Sequence, residues 1–175
     1  LMWVLSIGRE AAGAQSSSDA FSRAVALEAR GNHAAALALL WTAAGDRPRD
    51  PDVQNRLGEA LARIGALDAA IDSFRVAVAE RPDFRKASNN LILTLVQAGR
   101  GPEAVARARA LADAAPDDAD RQFTLGLALS EQDAEASMAA FREVLRIQPR
   151  HALAEFNLAL VLKRTDRMAE AIDRF

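Results

Sequence analysis

Few side chains in this 175-residue chain could do chemistry. There are two histidines, no cysteine, and one dense group of carboxylates at Asp113, Asp117, Asp118 and Asp120. Histidine can act as acid, base or metal ligand near neutral pH, but His33 and His151 stand far apart in sequence, so either use requires the fold to bring them together. Their places beside a glycine and a proline support turn and helix-capping roles instead. The carboxylates surround Pro116 without the D-x-D-x-D-G order of a calcium loop, and read as a solvated corner that caps a helix. No glycine-rich phosphate loop, Gly-x-Ser-x-Gly or His-Glu-x-x-His is present. The expectation is no catalytic residue, no metal site, no cofactor, and a protein that is not an enzyme.

The elements that must position anything else follow from composition and period. Half of the residues are hydrophobic, only 5% are aromatic, and tyrosine is absent. The apolar content is therefore mostly Ala and Leu, which favour helices. The formal net charge of -2, with both signs interleaved, provides no basic stripe, so no nucleic-acid partner is expected. The absence of cysteine excludes a disulfide framework and leaves the compartment open.

Pro48, Pro82, Pro116 and Pro149 recur at spacings of 34, 34 and 33. Gly31, Gly65 and Gly99 share that period, followed at the next turns by Asp133 and Asp166. A small-residue column (Ala36, Ala70, Ala104, Ser137, Ala171) is followed four positions later by Leu40, Phe74, Ala108, Phe141 and Phe175. Leucine pairs at i, i+4 mark one helix face: Leu57 and Leu61, Leu91 and Leu95, Leu125 and Leu129, Leu158 and Leu162. Each unit reads as helix, short turn, helix, proline. Small residues after the first leucine (Ala24, Gly58, Gly126, Ala159) admit the second helix closely. The fourth unit is one residue short between Ser130 and Glu135, which predicts a tighter inter-helix turn there; the intact distance from Ser137 to Pro149 argues against a shortened second helix.

These marks, Leu57-Gly58, Ala70, Phe74 and Pro82 in the reference unit, resemble the tetratricopeptide repeat family. The resemblance covers repeats at 17–50, 51–84, 85–118, 119–151 and a partial one at 152–175. It implies an all-α, right-handed superhelical solenoid of antiparallel helix pairs, with a concave groove lined by first helices that receives a peptide or helix of a partner. The departures are the early aromatic of the first helix, replaced by Ala20, Gln54, Ser88, Gln122 and Glu155, and a tyrosine that is always Leu here.

Transferred by register, the implied groove face starts at Phe21, Val25 and Glu28, continues through Asn55, Glu59 and Arg63, then Lys86, Asn89, Leu93, Val96 and Gln97. It goes on with Phe123, Leu127 and Ser130, and ends at Phe156, Leu160, Lys163 and Arg164. The second repeat is polar on this face, whereas Leu93, Val96, Phe123, Leu127, Phe156 and Leu160 form an apolar track, with Arg63, Lys86, Lys163 and Arg164 as rim charges. Asn90 alone matches the residue set with which some family members clamp a chaperone tail, so such a clamp is not supported. Trp41 is expected to pack beneath the N-terminal segment, against Trp3.

Residues 1–16 read as a signal-peptide remnant, with Ala12-Gly13-Ala14 before Gln15, or as a linker. Leu1 to Ile7 is far too short an apolar run to span a membrane. The polar residues that follow offer Ser17, Ser18 or Asp19 as helix caps. At the other end, Ala171, Ile172 and Phe175 form an apolar face without a covering neighbour, as in a fragment of a longer bacterial polypeptide, exported or cytoplasmic. The expectation is a noncatalytic scaffold or adaptor with a protein or peptide partner. Two alternatives stand beside it: a docking region of a larger enzyme, and self-association through the C-terminal face.

Overall fold

The computed structural model describes residues 19–167. The signal-like segment, Trp3, the Ser17 and Ser18 caps, and the Ala171, Ile172, Phe175 face lie outside the described residues. Among the described residues there are nine helices and no strand. Helix α1 covers residues 19–29. It is followed by α2 (His33–Asp46), α3 (Pro51–Arg63), α4 (Leu67–Glu80), α5 (Arg85–Gln97), α6 (Gly101–Ala114), α7 (Ala119–Leu129), α8 (Ala134–Ile147) and α9 (Ala152–Arg164). No helix is long and apolar enough to cross a membrane, among the described residues.

The ends of these helices follow from local chemistry. Asp50 accepts from the N–H groups of Asp52 (2.9 Å) and Val53 (3.2 Å), and Asp118 does the same for Asp120 (3.1 Å) and Arg121 (3.2 Å). Each satisfies donors that the first turn leaves without partners. One turn in, Gln54 and Gln122 donate back to the carbonyls of Pro48 (2.8 Å) and Pro116 (3.2 Å). The glutamines that replace an aromatic thus tie α3 and α7 each to the proline before it. First helices close through a left-handed residue: Gly31, Gly65 and Gly99 have φ of 76°, 79° and 71°, and Asp166 has 58°. This geometry lets the next N–H reach back to the last leucine carbonyl, as Ala66 does to Leu61 and Arg167 to Leu162.

The fourth repeat differs from expectation. Its connection, residues 130–133, is four residues long and not tightened. The missing residue comes out of the first helix, for α7 has 11 residues where α3, α5 and α9 have 13. The second helix α8 keeps the 14 residues of α2, α4 and α6. Asp133 is not a left-handed turn residue; at φ −145° it is the N-cap of α8, accepting from Ala136 N–H. With no left-handed residue available, α7 ends early. The Ser130 N–H then bonds Leu127 O, and Gly126 O instead accepts from the buried Ser137 hydroxyl at 2.8 Å.

The chain forms two compact units, Leu1–Leu91 and Ile92–Phe175, dividing inside α5. In the first, α3 packs on α2 and α4, with Leu40, Leu57, Ile71 and Phe74 buried among them. In the second, α7 packs on α6 and α8, and α8 on α9. Its core holds Met138, Phe141, Val144, Leu158 and Leu162. Apart from Leu125, which is half-buried, the leucine pairs are all buried.

Candidate functional site

On the first unit, the face formed by α1, α3 and the start of α5 is a connected polar ladder. Glu28 pairs with Arg56 (3.3 Å) and Arg63 (3.5 Å), and Arg56 lies 3.7 Å from Glu59. The Glu59 carboxylate also receives Asn55 (3.0 Å), Asn90 (3.0 Å) and the Lys86 ammonium (2.7 Å). Asn90 donates in addition to Asn55 Oδ1 at 3.2 Å. Asn55 is only 3% exposed. These side chains come together as the register requires, and they spend their hydrogen bonds on one another. Arg56, absent from the face read in the sequence, joins two acids on neighbouring first helices.

The second unit carries the apolar residues. Leu93 and Val96 on α5 and Phe123 and Leu127 on α7 are half-buried. Phe123 and Leu127 pack against the core between α7, α8 and α9. The Phe123 ring lies 5.7 Å from Phe141 and 5.1 Å from His151, centroid to centroid. On α9 the corresponding positions are open: Phe156 is 57% exposed and Leu160 47%. Lys163 is exposed and in no ion pair among the described residues, whereas Arg164 pairs with Glu131. Leu153, 60% exposed on the same side of α9, escaped the sequence reading. The signal was available: its column holds Ser18, Asp52, Lys86 and Asp120 in the other repeats, so an apolar residue there stands out.

The histidines occupy different units. His33 starts α2 and its Nδ1 lies 3.1 Å from Arg63 Nη1. His151 caps α9, Nδ1 accepting from Ala154 N–H at 3.1 Å, in the column where Asp50 and Asp118 cap their helices. Of the carboxylates, Asp118 is a cap and Asp117 pairs with Arg146 (2.9 Å), while Asp113 and Asp120 are exposed. Hydrogen bonds to Glu143 and Asp117 hold the Arg146 guanidinium pKa above its ordinary value. No group of three or more acids and histidines converges as a metal cage would, among the described residues. Trp41 is not packed away as expected but 53% exposed. The buried line of α2 runs through Ala36, Leu40 and Ala44, and Trp41, a step of about 100° around the helix from Leu40, points off it.

Comparison with known proteins agrees with this architecture. The family model for the tetratricopeptide repeat matches residues 21–83 and 89–149. No curated protein matches the sequence significantly. Among solved structures, the chain is similar to MamA (41-end) from Desulfovibrio magneticus RS-1, at 24% identity over 91% of each chain with a TM-score of 0.77. It is similar also to MamA AMB-1, at 25% identity over 91% of this chain and 87% of that one, with a TM-score of 0.68. A further MamA crystal structure is 16% identical over 93% of this chain and 89% of the other, with a TM-score of 0.76. At 16–24% identity such likeness shows a shared helical solenoid fold. The repeat period, the packing columns and the family match over most of the chain agree: it belongs to the tetratricopeptide repeat family.

Proposed function

We propose that the chain is a noncatalytic scaffold that holds a helix or extended segment of a protein partner on the first-helix face of its second unit. The contact runs over Leu93, Val96, Phe123, Leu127, Phe156 and Leu160. The observation that carries this reading is a contrast in what the face residues are already doing. Phe156 and Leu160 remain about half exposed, and burying a large apolar side chain contributes roughly 1.5–3 kcal/mol. In the first unit, Asn55, Glu59, Arg63 and Lys86 would have to give up internal bonds before meeting a ligand. Asn89 lies half-buried on α5.

At the end of the track Lys163, with Arg164 beside it, favours an acidic flank on the partner and sets orientation more than affinity. The test is the double variant Phe123→Ala/Leu127→Glu in the full-length protein. Loss of partner recovery with an unchanged helical circular dichroism signal is expected; retained recovery would sink the reading.

A further inference from the structure

We propose that Ile92 and Ala108 form a reversed packing key, which fits α5 to α6 and to no other second helix among the described residues. In the first, second and fourth repeats the small residue stands on the first helix and the large one on the second: Ala24 with Leu40, Gly58 with Phe74, Gly126 with Phe141. One period of 34 beyond Gly58 and Phe74, the third repeat has Ile92 on α5 and Ala108 on α6. Both are 1% exposed. Together they bring the same number of side-chain carbons as Ala24 and Leu40, but from the opposite helices. The space between two helices is filled either way; the direction of insertion is reversed.

That reversal decides which helices fit. A Cβ added to Gly58 would stand 2.6 Å from Phe74 Cε1, and one added to Gly126 would stand 2.6 Å from Phe141 Cε1. Ile92 carries that Cβ and a branched side chain beyond it, so α5 laid against α4 or α8 collides with a fully buried ring. Against α2 it meets Leu40, a second large side chain. In the opposite sense, α6 laid against α3 or α7 sets Ala108 over a glycine and leaves the place of the ring empty.

Packing alone does not call for the reversal, since the sense of Ala24 and Leu40 fills the space with the same content. What it adds is selectivity. Helix pairs of a repeat array resemble one another, and assembly with the wrong neighbour is a characteristic failure of such chains. A slip of one repeat in either direction brings α5 to a phenylalanine, Phe74 or Phe141. The reversed pair therefore penalises misplacement of α5 by overlap and misplacement of α6 by a void. It holds the middle repeats in register without reference to any partner protein.

The experiment compares stability with refolding in the full chain. Ile92→Ala and Ala108→Leu each lower the urea midpoint, the first through a void and the second through overpacking. Ile92→Ala/Ala108→Leu recovers most of that loss, because the two side chains share one space. Ile92→Gly/Ala108→Phe then gives the third repeat the pair of its neighbours. It is expected to keep the helical signal, but to refold from urea with an added slow phase and a severalfold larger misassembled fraction than the native chain. That fraction grows as chain concentration rises from roughly micromolar to hundreds of micromolar. If this variant does not fold, Ile92→Ala/Ala108→Leu takes its place in the refolding comparison, since a leucine at 108 fills much of the space over Gly58 or Gly126. Two results would overturn the proposal: a combined alanine–leucine variant no more stable than the weaker single one, or a sense-restored chain that refolds as cleanly as the native protein.

Discussion

Gly58 lies directly under the ring of Phe74: a Cβ added there would stand 2.6 Å from Phe74 Cε1. Gly126 and Phe141 repeat the relationship, again at 2.6 Å. Both phenylalanines are fully buried, so their rings have nowhere to retreat. Helix α3 therefore approaches α4 as closely as a residue without a side chain allows, and so does α7 with α8.

Gly58→Ala and Gly126→Ala are each expected to destabilise by about 1–3 kcal/mol through overpacking, against the gain in helix propensity that Ala normally brings. Gly45→Ala is the control, because a Cβ there meets nothing within 4 Å; it should be neutral or stabilising by up to ~1 kcal/mol. Urea denaturation midpoints check all three.

Ser137 compensates for the early end of α7. Replacing it with Ala leaves Gly126 O without the hydroxyl 2.8 Å away in a buried site, at an expected cost of about 1–3 kcal/mol. Amide hydrogen exchange should speed up locally at the C-terminal end of α7. Equal exchange in the variant and the native chain would count against this account.

The left-handed turns make opposite predictions at two positions. Gly99 has φ 71° and open space around it, so Gly99→Ala adds only backbone strain, about 1–2 kcal/mol. Asp166 already bears such strain at φ 58°, so Asp166→Gly is expected to stabilise by up to ~1 kcal/mol. Thermal melting of the two variants, shifting in opposite directions, is the check.

Glu59→Ala removes the acceptor shared by Asn55, Asn90 and Lys86. The expected loss is about 1–3 kcal/mol, because the buried Asn55 amide loses its partner. The part contributed by Lys86, itself more than half exposed, fades as salt is raised. Partner recovery should survive, since the ladder is structural and the proposed contact lies in the other unit; its loss would move the binding face to α3.

Much of the fold is legible in sequence because repeat packing is local. A period of 34, a proline after each second helix, and small residues facing large ones are properties of positions close in the chain. The same holds for most caps and turns: Asp118 and His151 cap helices, and Asp166 takes the left-handed turn. The shortened repeat shows the limit. Counting residues locates a deletion between Ser130 and Glu135, but whether turn or helix absorbs it depends on which carbonyl finds a donor, and Ser137, across the helix pair, provides one.

What the sequence determined by itself is the repeat, its register, and which side chains share the first-helix face, since all three follow from helical periodicity. Only the tertiary structure decided which of those side chains are already occupied. Asn55 and Glu59 read as ligand-facing polar groups until Asn90 and Lys86 of the next first helix close on them. Phe123 and Phe156 share one column, yet His151 stacks on the first while the second stands open. Occupancy depends on neighbours that lie about one repeat away in sequence, and no pattern within a single helix records it.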